Sequence, residues 1–546
     1  MTDTHVALPG SRRPAKAGAT RVGDVEPTSR IEVTIALRGP ELPDADALGQ
    51  SPLTRDAFNR RFSASQDDAS KVAQALGRYG LTVEETSLAA RSLRVSGSAA
   101  QIEAAFQAQL GIYHDAQQGD YRGREGVIRI PADLDGVVTG VFGLDERRVA
   151  QRKTAMEAAD GHAAVAAPLT PADIESRYDF PPGKGAGQVI GIAEFGGGYF
   201  PADLDAFCKK YDRPTPTVTV VPVGLKALTP AQIAKLSPQQ RQAALGESTE
   251  VMMDVQIVAA LCPASTIYLY FAPFTQKGWV DLIGKIVDGG TASPSILSVS
   301  WGLAEDSPDW SESARTAINQ RLKSAALLGI TICVASGDDG SGDQLTDGRA
   351  HVNFPSSSPS VLSVGGTMLS NAAEVVWWES PGRRTPNGGG ATGGGVSVFF
   401  PRPSWQTVTV ASLNKGGIDG RVIPDIAAVA GAPYYDLIFM GQDSPNGGTS
   451  AATPVLAALL ARVNAVLPAG RSGRFITPLL YGPGPGGVPL GQSSCRDITV
   501  GNNASSPSPG RGYQAQTGYD AVSGWGVPIG TALVQALSAA APAAGS

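Results

Sequence analysis

Histidine is scarce in this chain: its 546 residues hold four, His5, His114, His162 and His351. No H-E-x-x-H occurs, which excludes a zinc peptidase centre of that type. Cysteine is equally sparse, at Cys208, Cys262, Cys333 and Cys495. None forms a C-x-x-C pair, so a zinc or thioredoxin-like site finds no support. Cys333 lies in an apolar strand pattern and is expected to be a buried thiol. One disulfide among the other three is compatible with the sequence, which selects no pair. Charged residues make up 17%, below the roughly one quarter usual for soluble domains, and the net charge is −6. That balance offers nothing to nucleic acid. No run of about 18 apolar residues appears, so no membrane span is expected. The N-terminal MTDTHVALPGSRRPAKAGATR lacks the apolar core of a standard secretory signal.

What is present is a globular chain, 42% hydrophobic, long enough for a large core plus a second unit. Its 66 glycines and 40 prolines imply many turns and long ordered loops. Residues 1–28 are polar and are expected to be disordered. Residues 29–152 read as a mixed α/β unit: strands at 30–37, 91–98 and 126–131, helices at 53–62, 68–80 and 99–111. The Ala-rich stretch 153–168 reads as a linker. From 169 to 546, short apolar β-runs alternate with helical patterns, as in QVIGIAEF (188–195), STIYLYFAP (265–273), SILSVSWG (295–302), GITICVASG (329–337) and VLSVGG (361–366). Continuous apolar strands with helical crossovers predict a parallel sheet covered on both faces. Functional groups of such sheets gather at the carboxyl ends of strands.

The stretch GGTSAATP (447–454) resembles the nucleophile segment of a subtilisin-type peptidase. Ser450 there heads an apolar helix, with Pro454 expected in its first turn. On residues alone it reads equally well as a helix cap or as a nucleophile at the positive end of a helix. His351, in RAHVNFP, has no neighbouring acid in the manner of a histidine triad. The other candidate bases are carboxylates. In GESTEVMMDVQIVAALCP, Glu250 and Asp254 stand four apart, on one face of an otherwise apolar helix. Desolvation and mutual repulsion would raise at least one pKa. Glu247 could share that face, and spacing does not choose between it and Glu250. In VASGDDGSGD, Asp338 and Asp339 follow an apolar run, either as turn aspartates or as acids at a strand's carboxyl end. A protonated carboxyl there could donate to an oxyanion.

Taken together, IAEFGGGY (192–199), GESTEVMMDVQIVAALCP (246–263), SVSWG (298–302), SGDDGSGD (336–343), HVNFP (351–355), GGGVSVFFPRPSWQ (393–406), PDIAAVA (424–430), GGTSAATP and CRDITVGNN (495–503) resemble the sedolisins. These are serine-carboxyl peptidases, and the similarity is to their kumamolisin branch. The resemblance implies an α/β subtilisin-like fold: a central parallel sheet flanked by helices, behind an α+β, ferredoxin-like N-terminal domain. It implies Ser450 as nucleophile, Glu250 as general base and acid, Asp254 as its orienting acid and Asp338 in the oxyanion hole. Glu194 and Trp301 would form an outer network. Asp497 and Asp520, with the carbonyls of Ile498, Gln516 and Gly518, would hold one structural Ca²⁺. Gln516-Thr517-Gly518 departs there from the family's Gly-x-Gly. Asn353 falls where relatives carry an acid near the substrate subsites. The N-terminal unit would be an activation domain, an intramolecular inhibitor and chaperone whose end lies in the cleft, removed near 153–170 on acidification. The expected product is a monomeric, secreted, acid-active endopeptidase of proteins or peptides, with no nucleic-acid or membrane partner. The alternatives are a histidine-dependent subtilisin relative using His351, and an exported, calcium-stabilised binding protein on a dead peptidase scaffold.

Overall fold

The computed structural model describes residues 4–44, 52–116, 118–149, 151–152, 155–156, 167–290, 293–370, 373–386, 388–468 and 471–539. In the N-terminal unit, strands Thr82–Ser87, Ser92–Ser98, Arg30–Leu37 and Val138–Phe142 lie side by side in that order, antiparallel throughout. Helices Gln66–Gly77 and Ala99–Phe106 complete a β-α-β-β-α-β, ferredoxin-like arrangement. From Val33 onward, strand Arg30–Leu37 is buried on both faces. Ile31, Val33 and Ile35 pack with Val72, Leu76, Ile102 and Phe106 in the unit's own core. One residue along, the other face meets the rest of the protein, as strand periodicity requires: Thr34 Oγ1 donates to Asp281 at 2.7 Å, Glu32 pairs with Lys277 at 3.0 Å, and Ala36 joins the core of the larger unit.

Two expectations fail here. Residues 5–24 are ordered. His5–Ala7 pairs with Arg129–Pro131, and Thr20–Asp24 pairs with Leu110–Asp115. The polar composition of this stretch hid strands whose partners lie about a hundred residues away. Arg13 is buried against Asp145 at 3.1 Å. The helix expected over 99–111 stops at Phe106, where Gln107 turns left-handed (φ 44°), and a strand begins at Leu110. Of the expected linker, residues 153–154 and 157–166 lie outside the described residues.

The larger unit holds an eight-stranded sheet. Strands run in the order Thr217–Pro222, Thr266–Phe271, Val189–Glu194, Ile296–Val299, Thr331–Ala335 and Leu362–Ser370, all parallel. Leu362–Ser370 also pairs with Ile426–Val429 in parallel and with Ala373–Val376 in antiparallel fashion. Alternation along the strands sends side chains to two cores. Ile190 and Ile192 face helices Pro238–Leu261 and Thr449–Val466. Ala193, Leu297 and Val299 face helices Gln276–Asp288 and Glu312–Leu327, the pair on which the N-terminal sheet docks. The fold is therefore the expected subtilisin-like one. Thr449–Val466 is long and apolar enough to cross a membrane, but 83% of it is buried inside the protein, as befits a core helix. The four cysteines are free thiols, with Cys333 buried as expected.

Candidate active site

Helix Pro238–Leu261 starts with a capping box, Ser237 with Gln240, and proline at its first position. Its first turns are near the surface, whereas from Glu250 onward every side chain is buried. Glu250 and Asp254, one turn apart, are wholly inaccessible to solvent. Glu247 points elsewhere: it accepts from the Gly197 N–H at 3.1 Å and pairs with Arg148 of the N-terminal unit at 3.4 Å.

The second helix, Thr449–Val466, follows Gly447 and Gly448. Gly448 caps it with φ 94°, and a Cβ on Gly447 would sit 2.2 Å from the Ala430 carbonyl. Only glycine suits either position. Ser450 is the second residue of this helix, so Pro454 falls beyond the first turn, one turn later than expected. Proline has no N–H to return to the carbonyl four residues back, which is that of Ser450. That carbonyl lies 3.2 Å from Ser300 Oγ instead. Ser300 Oγ also stands 2.6 Å from Asp254 Oδ2, and Ser450 Oγ donates to the Ser300 carbonyl at 3.3 Å. Ser300 thus ties the acid helix to the serine helix.

Three strand ends supply the rest. Glu194 closes strand Val189–Glu194, and Trp301 Nε1 donates to its Oε2 at 3.0 Å. Ser300 and Trp301 follow strand Ile296–Val299. Asp338 follows Thr331–Ala335, and its Oδ1 accepts from the Thr449 N–H at 2.9 Å and the Thr449 hydroxyl at 2.6 Å. Asp338 Oδ2 is buried without a partner among the described residues. Asp339 faces away, ion-paired with Arg384 at 2.5 Å.

Burial shifts Glu194, Asp254 and Asp338 towards their protonated forms. Burial, then the charge of Glu250, drives Glu194 well above the usual carboxylate range, against the Trp301 donation. Burial, then Glu194 and Glu250, does the same to Asp254, against the Ser300 hydroxyl. Burial also raises Asp338, with Arg384 and the two Thr449 donors opposing it.

His351 is committed elsewhere. Its Nδ1 is 2.9 Å from Asp306 Oδ1 and its Nε2 is 2.8 Å from Asp347 Oδ1, so neither nitrogen is available to Ser450. Asn353 Nδ2 donates to Asp343 Oδ2 at 2.9 Å. Ser300 and Thr449, hydroxyls adjacent in sequence to Trp301 and Ser450, also belong to the site, and no motif marks their part in it.

At the C-terminal end, Asp497 Oδ2 accepts from Gly518 N–H at 2.8 Å, and Asp520 Oδ2 accepts from Gln516 N–H at 3.0 Å. Loop 516–520 thus gathers both carboxylates. The carbonyls of Ile498, Gln516 and Gly518 accept no hydrogen bond from the described residues. Burial raises Asp520 to about 6, and a bound cation would hold such a carboxylate ionised. Two carboxylates and three uncommitted carbonyls are a hard-oxygen donor set that fits Ca²⁺.

Comparison with known proteins agrees with this fold. Residues 17–147 match the pro-kumamolisin activation domain, and residues 246–478 match the subtilase family. Kumamolisin of Bacillus sp. (strain MN-32) is 37% identical over 97% of this chain and 96% of its own length. Tripeptidyl-peptidase sed5 of Aspergillus fumigatus is 30% identical over 95% of each chain. The solved structure of Pseudomonas sedolisin, in complex with two molecules of pseudo-iodotyrostatin, superposes with a TM-score of 0.55 at 25% identity, covering 68% of this chain and 98% of that one. The chain belongs to the sedolisin family of serine peptidases, as a precursor that still carries its activation domain.

Proposed function

We propose that this precursor gives rise to an acid-active serine-carboxyl endopeptidase that removes its own N-terminal unit. Ser450 attacks the peptide carbonyl while Glu250 takes its proton. Glu250 then delivers that proton to the leaving amine, and an acyl-enzyme remains for water to hydrolyse. Asp254 orients Glu250, and Glu194 with Trp301 extends the network behind it. A protonated Asp338 and the Ser450 N–H hold the oxyanion. The observation that carries this reading is the sealed cluster of Glu194, Glu250 and Asp254, joined through Ser300 to Ser450, with His351 locked to two aspartates. A donor that must be protonated and a base that must accept a proton coexist only on the acid side of neutrality.

Self-processing has its own support. Gln151–Arg152 pairs antiparallel with Trp301–Gly302, and Ala155–Met156 pairs antiparallel with Asn446–Gly447. One strand pair adjoins Ser300 and the other ends three residues before Ser450. The tail of the activation domain therefore engages the cleft on both sides of the nucleophile. A cleft that admits chain on both sides suits internal bonds, hence an endopeptidase. The same contacts, with Arg148 on Glu247 and Thr34 on Asp281, make the N-terminal unit an intramolecular inhibitor until acidification. Asp497, Asp520 and the carbonyls of Ile498, Gln516 and Gly518 would hold one Ca²⁺, which supplies cross-linking of the C-terminal loops when bound. The test is labelling by a serine-reactive active-site probe: acidic samples label on Ser450, and a Ser450→Ala chain does not. Equal labelling of both, or labelling only above pH 7, would sink the reading.

A further inference from the structure

The mechanism leaves a second buried carboxylate beside the oxyanion acid unused. Asp338 and Asp339 are consecutive, and their side chains part. Asp338 faces the serine helix, whereas the fully buried side chain of Asp339 faces Arg384. Arg384 grips it through Nε at 3.1 and 3.2 Å, Nη2 at 2.5 Å and its own backbone N–H at 2.9 Å. Gln344 Nε2 adds a donor at 3.0 Å. The loop carrying Arg384 is stitched onto the same strand end. Ala391 N–H donates to the Asp338 carbonyl at 3.0 Å, and Gly393 N–H donates to the Gly337 carbonyl at 2.7 Å. The guanidinium is thus held next to the oxyanion acid by an ion pair and by backbone bonds to the acid itself.

The groups that act on Asp338 come from three elements. The serine helix contributes the Thr449 N–H and hydroxyl, the acid's own strand end contributes Asp339, and the 380–391 segment contributes Arg384. Asp343 in turn acts on Arg384. The two charges oppose each other: Arg384 favours ionised Asp338, and Asp339 favours the protonated form.

We propose that the Asp339–Arg384 pair is a positioning and tuning element of the oxyanion hole, which sets how far towards neutral pH Asp338 remains a donor. This rests on the assignment of Asp338 made above. With Asp339 present, most of the guanidinium's effect is offset and Asp338 keeps its proton. Without it, a partly buried positive charge stands less balanced near Asp338 and pulls its proton off at lower pH. One full charge in so enclosed a site moves a neighbouring ionisation by about one pH unit or more.

The test is the pH dependence of kcat/KM for a peptide substrate, using the full chain after acid activation. Asp339→Asn is expected to move the alkaline limb down by about one pH unit, and Arg384→Gln to move it up. The double variant, with both charges gone, should fall between wild type and Arg384→Gln. In an Asp338→Asn background neither substitution should move the limb. Activity lost evenly at all pH with unmoved limbs overturns the proposal and leaves a purely structural pair. Should the single variants fail to fold, the double variant decides, since it leaves no charge unpaired: a limb that stays put or moves down overturns the proposal. Full activity in Asp338→Ala would instead show that the oxyanion assignment beneath it is wrong.

Discussion

Replacing Asp338 in two ways separates its donor role from its ionisation. Its Oδ1 already accepts two hydrogen bonds from Thr449, so only Oδ2 is left to carry a proton towards an oxyanion. Asparagine keeps the Oδ1 acceptor and places an NH₂ where that proton was. It donates at every pH. Alanine keeps neither function and leaves the Thr449 donors without their acceptor. Loss of one oxyanion donor costs about 10²- to 10³-fold in kcat, or about 3–4 kcal/mol of barrier. Asp338→Ala should therefore fall by that factor at the acidic optimum. Asp338→Asn should stay within about tenfold of wild type, and its activity should persist to higher pH because the donor no longer ionises. The assay is steady-state hydrolysis of a peptide substrate across the pH range, normalised by active-site titration. An asparagine variant as damaged as alanine, with an unmoved alkaline limb, would refute the reasoning.

Other consequences follow from the same contacts. The tail strands bracket the nucleophile at Arg152 and Ala155, so the first cut in the acidified precursor should fall at one of the three bonds between them, read by mass of the earliest fragments. A first cut well outside that window would mean the tail does not lie as a substrate. Glu194 and Asp254 have raised pKa values when folded, so their stabilising protonation is complete below the ordinary carboxylate range and is lost as pH rises through the raised values. Asp254→Asn should accordingly flatten the fall of Tm between acid and neutral pH, and an unchanged slope would count against it. Chelation should lower the Tm of wild type and leave Asp520→Asn almost unmoved, since that variant has already lost a ligand. His351→Gln should spare the pH profile while lowering Tm, because it loosens Asp306 and Asp347 without touching Ser450; abolished activity in a folded variant would revive a histidine-based mechanism.

The sheet was legible because its strands are continuous apolar runs, and the Glu250–Asp254 face was legible because helical geometry puts residues four apart together. Period alone could not separate Glu247 from Glu250. The family resemblance chose Glu250, and the physical reason is the burial gradient along helix Pro238–Leu261 and the arrival of Arg148 from another unit. Consecutive aspartates carry no local sign of which one faces the nucleophile, and only packing sends Asp338 to Thr449 and Asp339 to Arg384. Ser300 was hidden for a similar reason. Its partners Asp254 and Ser450 are 46 and 150 residues away, so its place beside Trp301 in SVSWG gives no sign of them. The N-terminal strands were invisible because polar composition reports local preference, whereas their pairing partners lie at 110–115 and 129–131.

The central claim is that a carboxylate, Glu250, activates Ser450. The most direct measurement is self-processing of the purified full-length chain across acidic and neutral pH, beside Glu250→Ala and Ser450→Ala. The account predicts release of the N-terminal unit by the unmutated chain at acidic pH only, and none from either variant. Normal processing by Glu250→Ala would contradict it.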